Sequence, residues 1–101
     1  MNQMQQLLMQ ANKMQRELQK AHEALNEKEF TASNAGMVEV TMKGDKTLVK
    51  VDIDADALEK DNKDMLEQAI VNAINEAVKK IVAEAEKIDE DITGRKGGLP
   101  F

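Results

Sequence analysis

Chemistry in this chain has to be sought among carboxylates, lysines and one imidazole. Asp52, Asp54 and Asp56 stand at the D-x-D-x-D spacing that opens an EF-hand loop, where successive carboxylates converge on a calcium ion. The rest of such a loop is missing. Ala57 occupies the position that needs glycine for the sharp turn, and Lys63 the position that needs a bidentate glutamate. The three aspartates therefore read as a solvated strand end followed by helix-initiating acids. His22 is the one histidine, and an imidazole can act as base, ligand or pH switch. It has no plausible nucleophile and reads as a surface residue on the exposed flank of a helix. Cysteine is absent, Ser33 is the only serine, and no Gly-rich phosphate loop joins a strand to a helix. An active site would have to be built from carboxylates and lysines alone, with no metal and no cofactor expected. In a chain that is 33% charged, such residues are ordinarily the solvated surface.

A second constellation is cationic. Lys13, Arg16 and Lys20 are spaced three and four apart and share one face of a helix. Such a row can track backbone phosphates, although spacing of this kind more often marks an ordinary solvated face. Arg95 and Lys96, flanked by glycines in the last residues, offer mobile phosphate contacts of the same kind. The net charge of -5 argues against electrostatic attraction to nucleic acid, but the charge is unevenly placed. Residues 1–22 carry those three cations against Glu17 alone, a balance of +2, which leaves -7 on the remainder. With neither Trp nor Tyr, base stacking would rest on Phe30 and Phe101 alone.

The elements that must position these residues are legible from periodicity. Met4, Leu7, Ala11, Met14, Leu18, Ala21 and Leu25 follow one another at alternating spacings of three and four, an unbroken heptad seam without Gly or Pro. The spacing predicts a helix over 2–28 that must pack against another helix. Leu8 and Met9 lie outside the seam and predict a second contact surface near the N-terminus. From Met37 to Ile53 the apolar residues recur at every second position, predicting strands over 37–43 and 47–54. A Gly44-Asp45 turn would pair Val40 with Val49 and Val38 with Val51. A short strand over 29–34, with Phe30 and Ala32 inward, completes a meander through Asn34-Ala35-Gly36.

One helical turn is expected around Ala55 to Glu59, then a second helix over 61–91 capped by Asp61 with Asp64 three residues on. Its apolar doublets, from Met65-Leu66 to Val82 and Ala85, make a wide stripe suited to lying across the hairpin as its lid. From Glu86 to Asp91 only Ile88 is apolar, so the last turns are expected to project into solvent. The whole reads as one domain, 1–92, with a flexible tail at 93–101. No apolar run exceeds three residues, far short of a membrane span or signal core. A soluble, cytoplasmic, cofactor-free chain is expected, and its small core makes oligomerisation a natural supplement.

Three blocks carry a family resemblance. M-Q-Q-L-L-M-Q-A-N-K-M-Q-R-E-L-Q-K from Met4 to Lys20, G-M-V-E-V-T-M-K-G from Gly36 to Gly44 with V-K-V-D-I-D from Val49 to Asp54, and D-M-L-E-Q-A-I-V-N-A-I-N-E-A from Asp64 to Ala77 stand in order and spacing. Together with the Gly-Gly-Leu-Pro ending they resemble the YbaB/EbfC family of small bacterial nucleoid-associated proteins over essentially the whole chain. The segment before Gly36 is less glycine-rich than is usual there, and the tail is short. The resemblance implies an α+β protomer of helix, three-stranded antiparallel meander and helix. It also implies a tweezer-like homodimer joined through its sheet region, with double-stranded DNA as partner and no enzymatic activity. On that reading Lys13, Arg16 and Lys20 of both arms hold phosphates, helped by Arg95 and Lys96, with weak sequence preference. The alternative is a protein-interaction module gripping its partner with Met- and Leu-bearing arms.

Overall fold

The computed structural model describes residues 2–94. The elements are α1 (Gln3–Glu27), β1 (Glu29–Asn34), β2 (Val38–Lys43), β3 (Leu48–Ile53), two 3-10 turns (Ala55–Ala57 and Lys60–Asn62) and α2 (Lys63–Thr93). Asn2 starts α1 with a capping box: its side chain accepts the Gln5 N–H at 2.8 Å while the Gln5 side chain returns to the Asn2 N–H. Lys28, in an extended conformation, ends it and feeds the chain directly into β1. Gly94, at φ 71°, closes α2. The capping box expected of Asp61 and Asp64 does not form. Asp61 is already inside the Lys60–Asn62 turn, and Asn62 precedes α2 without a side-chain cap bond, because a capping side chain needs an extended backbone at its own position.

The sheet order is β1-β2-β3, antiparallel throughout. The β2–β3 register differs from the expected one by two residues: Val40 stands opposite Val51 and Val38 opposite Ile53. The cause is the turn. The Lys43 N–H reaches the Thr47 carbonyl at 2.9 Å, the Lys46 N–H returns to the Lys43 carbonyl at 2.8 Å, and Lys46 takes a left-handed φ of 69°. This longer loop, with a bulge at Thr41/Met42, replaces the tight two-residue turn. A slip of two keeps every paired side chain on its face, so the apolar face survives the correction.

Ala69, Ala73, Ala77 and Ile81 recur every four residues along α2 and form the buried core with Ala32, Val38, Val40 and Met42. Three alanines in that row let the helix axis approach the strands closely, at the cost of a core poor in large side chains. The lid is displaced from its expected place: α2 lies over β1 and β2, not over the hairpin as a whole. Lys80 Nζ donates to the Thr31 carbonyl at 2.7 Å and ties α2 to β1. The opposite edge is bare, with Val49 at 49% and Val51 at 40% exposure.

The second half of α1 packs antiparallel on the end of α2. Leu18 and Leu25 are buried there, His22 Nε2 lies 2.8 Å from Asp89 Oδ1, and Lys28 Nζ lies 3.7 Å from Glu84 Oε1. The last turns of α2 therefore do not project into solvent: Ile88, Asp89, Glu90 and Ile92 are half-buried. Among the described residues, none covers the first half of α1 in this way. The radius of gyration is 19.4 Å, with extents of 71 × 20 × 14 Å, where a compact chain of this length would have about 13 Å. The excess is the arm.

Candidate nucleic-acid interface

At about 100° per residue, Lys13, Arg16 and Lys20 fall within a narrow sector of α1, opposite the Met14–Leu18–Leu25 seam. All three are exposed. Among the described residues, none of the three takes part in an ion pair. Glu17 is the one acid beside them, and one turn toward the tip the same sector carries Met9. Past Lys20 the sector turns acidic with Glu23 and Glu27, and Glu27 is engaged by Lys43 at 3.6 Å. The cationic surface thus runs along the face of α1 turned away from α2, from Lys20 beside the end of α2 to Lys13 on the overhanging arm. Arg95 and Lys96 lie outside the described residues.

The arm is held at its base. Gly44 is buried at the hairpin turn, its N–H donates to the Lys28 carbonyl at 2.9 Å, and a Cβ on it would stand 1.8 Å from the Leu25 carbonyl oxygen. In the sequence Gly44 looks like a turn residue only. Its second task, letting β2–β3 touch the end of α1, depends on a contact between segments about twenty residues apart and leaves no local signal. His22 is a correction as well. It is half-buried, not a free surface residue, and its Nε2–H donates to the Asp89 carboxylate across the α1–α2 seam. The position one residue after Ala21 of the heptad seam was the available sign of that contact.

The aspartate series is taken up by local structure: Asp54 Oδ1 accepts the Asp56 N–H at 2.9 Å and caps the first 3-10 turn. Among the described residues no cluster of His, Asp or Glu is arranged to hold a metal ion, and no helix is long and apolar enough to cross a membrane. Asp45, at the hairpin turn, has its carboxyl held below the usual carboxylate range by hydrogen bonds from the Thr47 side chain and then the Thr47 N–H. An open groove lies between β1 and α2, lined by Ser33, Asn34, Asn72, Asn75 and Lys79, on the far side of the sheet from the bare β3 edge.

The YbaB/EbfC DNA-binding family matches residues 1–96. The chain belongs to that family. It is 40% identical to a nucleoid-associated protein of Enterococcus faecalis over 87 residues, 85% of this chain and 84% of the relative. A nucleoid-associated protein of Malacoplasma penetrans is 34% identical over 98 residues, 97% of this chain and 98% of the relative. The fold of this family member also matches the crystal structure of an uncharacterized protein from Helicobacter pylori, with a TM-score of 0.75, 23% identity, and coverage of 93% of this chain and 99% of that one.

Proposed function

We propose that this nucleoid-associated, cytoplasmic DNA-binding protein works as a homodimer that grips duplex DNA by its backbone phosphates and influences nucleoid organisation or gene expression. Lys13, Arg16 and Lys20 of each arm make the contacts, with Arg95 and Lys96 adding to them. The observation that supports this most directly is that the three arm cations are exposed on one face and unengaged by any acid among the described residues. A cation already paired would have to give up its partner to meet a phosphate, and these do not.

The bare β3 edge supports the dimer. Val49 and Val51 are exposed on it, and Leu58, just beyond, is 64% exposed. An unpaired edge strand bearing apolar side chains is a template for another strand, and a second copy is the partner that closes it symmetrically. Sequence preference is weak on this reading, because phosphate contacts carry no sequence information and the chain has neither Trp nor Tyr and few base-reading candidates, and DNA shape is left as the source of any preference. A gel shift with unrelated duplexes across a salt series, on protein of confirmed dimeric mass, tests it: comparable affinities that fall steeply with salt are expected, and salt-indifferent binding would overturn the phosphate mechanism. The alternative, arms that grip another protein, draws on the exposed tip residues Met4, Leu7 and Leu8. One stoichiometric protein partner in a pull-down, together with no DNA shift at low salt, would favour it.

A further inference from the structure

The tip of α1 differs in kind from the rest of the molecule. Residues 1–12 contain no charged side chain in a chain that is 33% charged. The heptad seam runs through the tip unbroken, but its surroundings change: Leu18 and Leu25 are buried against α2, whereas Met4 is 66% and Leu7 62% exposed. His22 is level with Asp89 and Lys28 with Glu84, so α2 ends opposite the neighbourhood of Leu18. Residues 3 to 14 overhang it by about 17 Å at the usual rise per residue.

We propose that this overhang is a self-pairing surface, on which the α1 tips of two copies pack antiparallel, seam against seam. Met4 and Ala11 take a positions of the heptad, Leu7 and Met14 take d positions. An antiparallel pair sets a against d, so Leu7 meets the other copy's Ala11 and Met4 meets its Met14. Leu7 against Ala11 is a large side chain facing a small one, the arrangement by which facing layers interdigitate. This register is symmetric about Met9, and it gives Leu8, 57% exposed and off the seam, its own counterpart as a neighbour across the two-fold axis. Lys13, Arg16 and Lys20 point the other way and stay free on the outside of the pair.

A second copy is the occupant that the charge pattern fits. An uncharged tip offers nothing complementary to an acidic or basic partner, and as the longest stretch free of charged side chains it lets two copies with a net charge of -5 approach with the least like-charge repulsion. Contact over so short a stretch is weak by itself and is strengthened when several copies share one DNA molecule. With the sheet edge as a separate two-fold contact, tip pairing would join dimers into open arrays. The array rests on the homodimer reading; the tip contact does not.

The chain has no cysteine, so one introduced thiol reports the contact. Gln10→Cys flanks the seam next to its own counterpart in the antiparallel register, and Asn75→Cys on α2 is the control. In full-length protein without DNA, Gln10→Cys should cross-link copies at least about tenfold faster than the control, because pairing holds the thiols at high effective concentration. The link should persist at about 1 M salt, where charge attraction is screened. Adding Met4→Gln and Leu7→Gln should return the rate to the control value with helicity by circular dichroism unchanged. Sedimentation should show a species heavier than the dimer, removed by the same pair of substitutions. Finding no heavier species up to about 1 mM protein would overturn the array, and a Gln10→Cys rate equal to the control would overturn the proposal. So would faster linking in a chain ended at Gly94, which would place residues 95–101 on the seam instead. With no DNA in the assay, its failure is separate from failure of the phosphate mechanism.

Discussion

Replacing Lys13, Arg16 and Lys20 together by Gln tests the proposed interface at its source. Glutamine keeps helix propensity close to that of Lys and Arg, and exposed substitutions of this kind change stability by no more than about 0.5 kcal/mol. The fold should therefore be intact and the dimeric mass unchanged. Three cations per arm make six in a dimer, and each neutralised phosphate contributes about -0.9 to the slope of log affinity against log salt, giving a slope near -5 for the native arms. Between about 50 and 200 mM salt that slope costs about a thousandfold in affinity. Fluorescence anisotropy with a labelled duplex, repeated at several salt concentrations, reads the slope directly. The triple variant should lose most of it, and Lys13→Gln alone should lower it by about 1.8, two contacts per dimer. Glu17→Gln, which removes the one acid among the row, should raise affinity and do so most at low salt. A triple variant with the native slope would refute the assignment, because some other surface would then be releasing the counterions.

Other outcomes follow from positions outside the cation row. Gly44→Ala should destabilise the fold by about 3 kcal/mol in urea unfolding, the upper range for forced overpacking, since its Cβ would stand 1.8 Å from the Leu25 carbonyl oxygen. Ala35 holds a left-handed φ of 56° with no need for its methyl group, and Ala35→Gly should raise stability by about 1 kcal/mol in the same assay. Val51→Lys places a charge on the bare β3 edge and should shift sedimentation toward monomer while leaving the helical content of the protomer in place. The Asp45 carboxyl is held below its usual range by Thr47, so its contribution is present above the unfolded value near about 3.9 and disappears as pH falls through the lower folded value. Asp45→Ala should be less stable than the native chain at neutral pH, and the difference should close in acid unfolding curves.

Periodicity was enough to find the helices and strands because each element has one apolar face. The heptad spacing from Met4 to Leu25 located α1, and the alternation from Met37 to Ile53 located β2 and β3, with ends close to those observed. What periodicity could not carry was anything decided by a second segment. The β2–β3 register depended on Lys46 taking a left-handed conformation, for which a lysine gives little sign. The place of α2 over β1 and β2 depended on Ala69, Ala73, Ala77 and Ile81 meeting Ala32, Val38, Val40 and Met42. His22 looked exposed because its partner, Asp89, lies 67 residues away. The cation row was legible as a row. That it stands unpaired where α2 ends and the arm begins required the antiparallel packing that ends α2 near Leu18.

That packing also resolves how an acidic chain can present itself to DNA. Glu84, Glu86, Asp89, Glu90 and Asp91 gather at the end of α2, beside the base of the arm, and would repel a duplex lying against the body. Outward along α1 come Lys20 and Arg16 at the level of the end of α2, then Lys13 and the uncharged tip on the overhang. On the proposed reading a duplex is steered to the cation row of the arm, and its placement depends on how firmly the arm is held. The His22–Asp89 and Lys28–Glu84 pairs are partly exposed and worth up to about 1 kcal/mol each, too little to fix a lever of this length. Burial of Leu18 and Leu25 and the close approach at Gly44 must therefore set the angle of the arm. A Gly44→Ala chain that still folds at low temperature should hold DNA with the native salt slope but reduced affinity, since its cations remain while their placement does not.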